Sequence, residues 1–179
     1  FQRFFDIEPV GCWASEGGVS QRTLGILEQD GFRWTATGDS VLHNSLKHAA
    51  SNSPETRQFA DRGIHQPYTF GDSGVTVFFR DDALSDLIGF TYSDWHAKDA
   101  VGDLVHHMEN DAAFHMENIA RSGKPDAVIS IIMDGENAWE YYPENGFHFL
   151  SELYRVLANH PLLELTTYQN LINAPLTKP

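Results

Sequence analysis

The chain has 179 residues, room for one hydrophobic core but short for two. Hydrophobic residues make up 41% of it and charged residues 21%, a globular balance that excludes a disordered polymer. With 25 acidic against 12 basic residues the formal net charge is −13. Such a surface repels phosphate backbones and anionic headgroups, which argues against nucleic acid and membrane as partners and favours a neutral one.

Cys12 is the single cysteine, so no internal disulfide can form, as suits a reducing, cytoplasmic compartment. No run of about 18 apolar residues is present to span a membrane. Phe1 stands first and no signal-peptide pattern follows it, so the sequence reads as a segment of a longer protein.

In chain order, Phe1–Glu8 reads as the tail of a helix running into Pro9, and Val10–Trp13 as a short strand. Ser20 is a good N-cap for a helix over Gln21–Gln29, whose apolar side is Leu24, Ile26 and Leu27. Asp30-Gly31 ends it, and Phe32–Ala36 reads as the next strand. The polar stretch His43–Gly63 reads as a long surface connection. Val75–Phe79 is an apolar, β-rich run, and Asp82–Ile88 is predicted as one or two helical turns. From Asp94 to Arg121, Val101, Leu104, Val105, Met108, Ala112 and Ile119 recur at three- and four-residue steps, which predicts a long helix. Ser122-Gly123-Lys124-Pro125 terminates it. Ala127–Met133 is predicted to be a strand buried on both faces. A helix over Gly146–Asn159, a strand at Leu163–Thr167 and a short terminal helical piece complete the series. Strands alternating with helices imply an α/β fold with parallel strands.

Three strand ends carry carboxylates. In Ile131-Ile132-Met133-Asp134-Gly135-Glu136, an apolar run delivers Asp134 to the C-terminal end of a strand, where α/β folds place reacting groups. Held at the rim of an apolar core, a carboxyl there would keep its proton and suit a general acid. Trp139, Tyr141 and Tyr142 follow and offer flat faces for sugar rings. In Trp13-Ala14-Ser15-Glu16-Gly17-Gly18, a short strand again ends in a carboxylate, just ahead of a helix start. The helix dipole would favour ionised Glu16, as a nucleophile requires, whereas Asp134 must hold a proton. The bland alternatives are a loop cap for Asp134 and a neutralised helix start for Glu16. At the third end, Arg80, followed by Asp81, could bind substrate hydroxyls or lower the pKa of a nearby carboxylate, or simply form an Arg–Asp pair that ties down a loop.

The nine histidines do not show metal-ligand spacing, since His106-His107 and His115 form no His-x-x-x-His or Glu-x-x-His pair. They read as solvated helix residues, His65-Gln66-Pro67-Tyr68 as a loop element near a site, and Cys12 as a structural thiol.

Taken together, Gly11–Ser20, Phe79–Phe90 and Met133–Tyr142 resemble glycoside hydrolase family 57, with the similarity running through most of the chain. Trp13-Ala14-Ser15-Glu16 matches the family's nucleophile region, and Asp134-Gly135-Glu136 matches its acid/base region. The resemblance implies a segment of a (β/α)7-type barrel acting on α-linked glucans through a covalent glycosyl-enzyme, with retention and with no cofactor or metal. It implies Glu16 as nucleophile and Asp134 as acid/base, with Glu136 at the substrate; Trp13, Arg80, Asp81, Trp139 and Tyr141 are the other expected substrate contacts. The family's His-Gln-Pro region precedes the nucleophile, whereas His65-Gln66-Pro67 follows it, so those residues are not carried over. The first barrel strands and the last family region are expected from the remaining parts of a full-length chain. Rival readings are a non-catalytic carbohydrate-binding or assembly segment, and a metal-dependent carbohydrate esterase.

Overall fold

The computed structural model describes residues 1–52, 63–122, 127–135 and 138–173. It divides into two compact units, residues 1–80 with 167–179, and residues 81–166.

The first unit is built on a four-stranded sheet. Helix α1 (Gln2–Phe5) precedes strand β1 (Gly11–Trp13), helix α2 (Gln21–Gln29) and strand β2 (Trp34–Gly38). Helix α3 (Asp39–Asn52), strand β3 (Tyr68–Thr69) and strand β4 (Thr76–Arg80) follow. The strand order is β1-β2-β4-β3, with β1, β2 and β4 mutually parallel and β3 an antiparallel edge. Parallel neighbours need long crossovers, and α2 and α3 supply them.

Helix α2 forms where its sequence predicts. The Ser20 hydroxyl accepts from the Thr23 amide at 3.1 Å, satisfying one donor of the first turn. Gly31, at φ 84°, ends the helix while the Phe32 amide reaches back to the Leu27 carbonyl at 2.9 Å. Leu24 and Leu27 from this helix, Leu42 from α3, and Val75, Val77 and Phe79 from the β4 segment form the core of this unit. On the other face of the sheet Phe78 stacks on Tyr168 of helix α7 (Tyr168–Asn173) at 4.2 Å, and Trp34 lies edge-on to Tyr168 at 4.8 Å. Register sets Gly11 beside Trp34, where a Cβ on Gly11 would lie 1.8 Å from the indole. The glycine is there because the tryptophan fills its space.

Helix α3 corrects the sequence reading, which takes His43–Gly63 as a surface connection. Its polar residues hide a sparse apolar stripe: Leu42 is buried and Leu46, one turn on, packs on the same core. Asp39 in its first turn suits the helix dipole. Residues 53–62 of that predicted connection lie outside the described residues.

The second unit holds α4 (Asp82–Asp86), α5 (Ala97–Ser122) and α6 (Phe147–Leu157). Ala100, Val101, Leu104, Val105 and Met108 of α5 face Leu84, Ile88, Tyr92, Tyr142, Phe149 and Leu157 in one core. The Tyr92 hydroxyl donates to Asp103 at 2.7 Å, and that of Tyr142 to the Ile88 carbonyl at 2.5 Å. After α6, His160 Nδ1 accepts from the Leu163 amide at 3.2 Å, leaving Nε2 to face Glu109 at 3.2 Å.

Two predicted strands are absent from this unit among the described residues. Over 127–133 the backbone makes a single bridge at Ser130, whose carbonyl accepts from the Asp81 amide at 2.9 Å. The apolar side chains Ile129, Ile131 and Met133 pack against the α5 core, so hydrophobic burial explains the run without a strand ladder. Leu163–Thr167 is also irregular; Leu163 reaches the core while Leu165 is exposed. The predicted terminator after Ser122 falls on residues 123–126, outside the described residues.

Candidate active site

In the first unit, β1 ends at Trp13 and the chain makes one tight turn over Ser15–Gly17. Ala14 is extended; then Glu16 adopts φ 53°, ψ 24°, and Gly17 follows at φ 63°. The Gly17 amide donates to the Ala14 carbonyl at 2.9 Å and the Gly18 amide to Ser15 at 3.0 Å. A left-handed conformation costs a non-glycine residue roughly 1–2 kcal/mol, so the surroundings must hold Glu16 in it. Its carboxylate is exposed to solvent. The dipole contact expected from α2 is replaced by this turn, because Gly17, Gly18, Val19 and Ser20 intervene before the helix begins.

Trp13 is 41% exposed, and its six-membered ring lies over Gly17, 3.1 Å from where a Cβ would be. Trp13 and Glu16 therefore share one turn. Two buried threonines of β2 tie this segment to the sheet: Thr35 donates to the Cys12 carbonyl at 2.7 Å and Thr37 to the Gly17 carbonyl at 2.5 Å. Cys12 is half-buried and packs against the core, the structural role its sequence suggests.

Arg80 closes β4 and is half-buried. Asp81 is buried, and its Oδ1 accepts from the Leu84 amide at 2.9 Å as the N-cap of α4. That oxygen serves the helix start.

In the second unit, Asp134 follows the half-buried Ile131, Ile132 and Met133 but is itself exposed, in place of the partial burial predicted for it. The Ile132 amide donates to the Ser85 hydroxyl at 3.3 Å, which helps fix this segment. Glu136 lies outside the described residues. Trp139 is half-buried, 5.3 Å from the ring of Tyr142 and 6.0 Å from Phe149, with Gly146 against its face. Its ring is used for packing, and so is that of buried Tyr142; Tyr141, 76% exposed, is the open one of the three.

Sequence reasoning misses two features. One is the threonine pair on β2. A polar residue at every second position of an otherwise buried strand was its signal, since a buried hydroxyl needs a partner. The other is a cleft of about 300 Å³ in the second unit, lined by Tyr92, Trp95, His96, Tyr142, His148 and Phe149. These residues are dispersed in sequence and are united only by folding.

Parallel strands linked by helices, with a carboxylate turned out at the end of β1, define an α/β fold of the kind that carries its chemistry at strand ends. The family model for glycosyl hydrolase family 57 matches residues 1–179, and the chain belongs to that family. Among solved structures, the novel alpha-amylase AmyC from Thermotoga maritima is similar, with a TM-score of 0.69 and 18% identity, over 97% of this chain and 42% of that one. The 4-alpha-glucanotransferase from Thermococcus litoralis is similar with a TM-score of 0.52 and 21% identity, over 92% of this chain and 22% of that one. The chain thus spans less than half the length of either, and at these identities the likeness is one of fold: α/β, part of a (β/α)7-type barrel. No curated protein sequence matches. Among the described residues no helix is long and apolar enough to cross a membrane.

Proposed function

We propose that this chain is the catalytic segment of a longer, cytoplasmic, retaining glycosidase or transglycosidase acting on α-linked glucans. Glu16 attacks the anomeric carbon while Asp134 protonates the departing glycosidic oxygen, giving a covalent glycosyl-enzyme. Asp134 then takes a proton from water or from a sugar hydroxyl, and that oxygen displaces Glu16. Such a pair works at a carboxyl separation of about 5–5.5 Å. Trp13 and Tyr141 offer faces for sugar rings, Arg80 and Glu136 hydrogen bonds to hydroxyls, and the scheme uses no cofactor. The observation that carries the reading is Glu16 itself, an exposed carboxylate kept in a left-handed backbone at the C-terminal end of a parallel strand. Family membership and the fold of the two solved enzymes support it.

The test is turnover of malto-oligosaccharides by the full-length protein. Glu16→Gln is expected to lower kcat by more than about a thousandfold with the fold intact by circular dichroism. Unchanged kcat would sink the assignment. Asp134→Asn is expected to lose more rate on poor leaving groups than on activated aryl glycosides. A second reading, glucan binding without turnover, is favoured by the aromatic cleft of the second unit. Wild-type protein that binds malto-oligosaccharides and never cleaves or transfers them would establish it.

A further inference from the structure

We infer that Thr37 is the positioning residue of the Glu16 turn: its hydroxyl, donated from strand β2 to the Gly17 carbonyl, holds the carboxylate in its working orientation. The inference rests on the reading of Glu16 as nucleophile.

Thr35 and Thr37 point to the same face of β2, are 0% and 1% exposed, and stand where valine would pack equally well. A buried hydroxyl without a partner is costly, and both threonines have one: each donates to a main-chain carbonyl. Thr35 bonds to Cys12, inside the β1–β2 pair, and does the ordinary work of joining strands. Thr37 reaches past the last paired residue of β1 to Gly17, in the turn itself. Gly17 directly follows Glu16 and shares its left-handed backbone.

The bonds from Gly17 to Ala14 and from Gly18 to Ser15 are local and move with the turn. The Thr37 bond is different, because it anchors the turn to a strand paired on both sides. With the indole of Trp13 over Gly17 and the Gly38 amide 3.7 Å from a Cβ built there, the glycine has packing neighbours on two sides. Holding the Gly17 carbonyl restrains the peptide that follows Gly17 and, together with the Gly17 amide's bond to Ala14, limits how far the turn bearing Glu16 can shift. Thr37 is buried, so its loss should leave binding alone and misplace the attacking oxygen.

The experiment is steady-state kinetics on malto-oligosaccharides with the full-length protein carrying Thr37→Val, Thr37→Cys, Thr37→Ser or Glu16→Gln, corrected for folded fraction. Valine keeps the shape and removes the donor, cysteine weakens it and serine keeps it. For Thr37→Val, kcat is expected to fall roughly 10- to 100-fold with KM within about twofold of wild type. Thr37→Ser should stay within about threefold of wild type and Thr37→Cys should fall between. A merely structural role would lower the folded fraction without splitting kcat from KM. Wild-type kcat for Thr37→Val beside an inactive Glu16→Gln overturns the inference, as does a serine variant as slow as the valine one. If Thr37→Val does not fold, equal kcat for the cysteine and serine variants overturns it instead. A fully active Glu16→Gln overturns the nucleophile reading, whatever the threonine variants do.

Discussion

Removing one oxygen from Tyr142 tests how the second unit is held together. The hydroxyl is buried with its residue 6% exposed, and it donates at 2.5 Å to the carbonyl of Ile88, itself 2% exposed and within the wide helical turn Leu87–Thr91. Phenylalanine keeps the contacts with Trp139 and Phe149 and leaves that carbonyl without its hydroxyl partner, which costs about 1–2 kcal/mol. With the urea dependence usual for small domains, the unfolding midpoint drops by roughly 0.5–1 M. A second signature lies at alkaline pH. Burial pushes the Tyr142 phenol up from 10.0 to about 12, so the folded unit binds its proton more tightly than the unfolded chain does. That contribution is complete below pH 10 and is lost as pH rises from 10 through about 12. Two pKa units amount to roughly 2–3 kcal/mol by the end of that window. Tyr142→Phe should therefore be less stable at neutral pH and fall less steeply above pH 10 than wild type. The Tyr92 phenol, raised further by burial and by Asp103, keeps part of the alkaline slope in both proteins. Urea melts followed by circular dichroism between pH 7 and pH 11 read both effects. An unchanged midpoint at neutral pH, or identical alkaline slopes, would refute the reasoning.

Gly11→Ala should cost about 3 kcal/mol or more, since its Cβ would lie 1.8 Å from the Trp34 ring, which is wedged against Phe78 and Tyr168. Thermal unfolding measures the loss, and Trp34→Leu in the same chain should recover much of it; no recovery would show that the clash is not the cause. Ser20→Ala should cost about 1 kcal/mol through the lost cap on Thr23, and Ser20→Asp should retain most of the stability. Faster amide exchange confined to the start of α2 is the local sign to look for, and unaltered exchange there would count against the cap.

What sequence makes legible here is what is locally encoded. Ser20, the leucine pair and Asp30-Gly31 specify α2 at both ends, and the three- and four-residue steps from Val101 to Met108 specify α5. Helix α3 stays hidden because so few of its residues are apolar. Ala127–Met133 shows the opposite error: an apolar run reports burial, and burial against helices looks the same in sequence as burial in a sheet. The antiparallel edge β3 is two residues long, too short for a period. At the candidate site, the sequence places a carboxylate after β1 and two glycines beside it, but a glutamate carries no mark of a left-handed backbone. Thr37 escapes because the predicted strand stops at Ala36, one residue before it. The packing of half-buried Trp139 against Gly146 and Phe149 also joins residues too far apart in sequence for any local pattern to show.

The aromatic stack under the sheet has a consequence for the order in which this chain can mature. Tyr168 completes the packing on Trp34 and Phe78, yet it is separated from them by the whole of the second unit. During synthesis, residues 81–166 emerge as an uninterrupted stretch and can fold from contacts near in sequence. The first unit emerges earlier but stays without that lid until α7 leaves the ribosome. Of the two units, the one begun earlier is thus the one completed later, and the turn bearing Glu16 belongs to it.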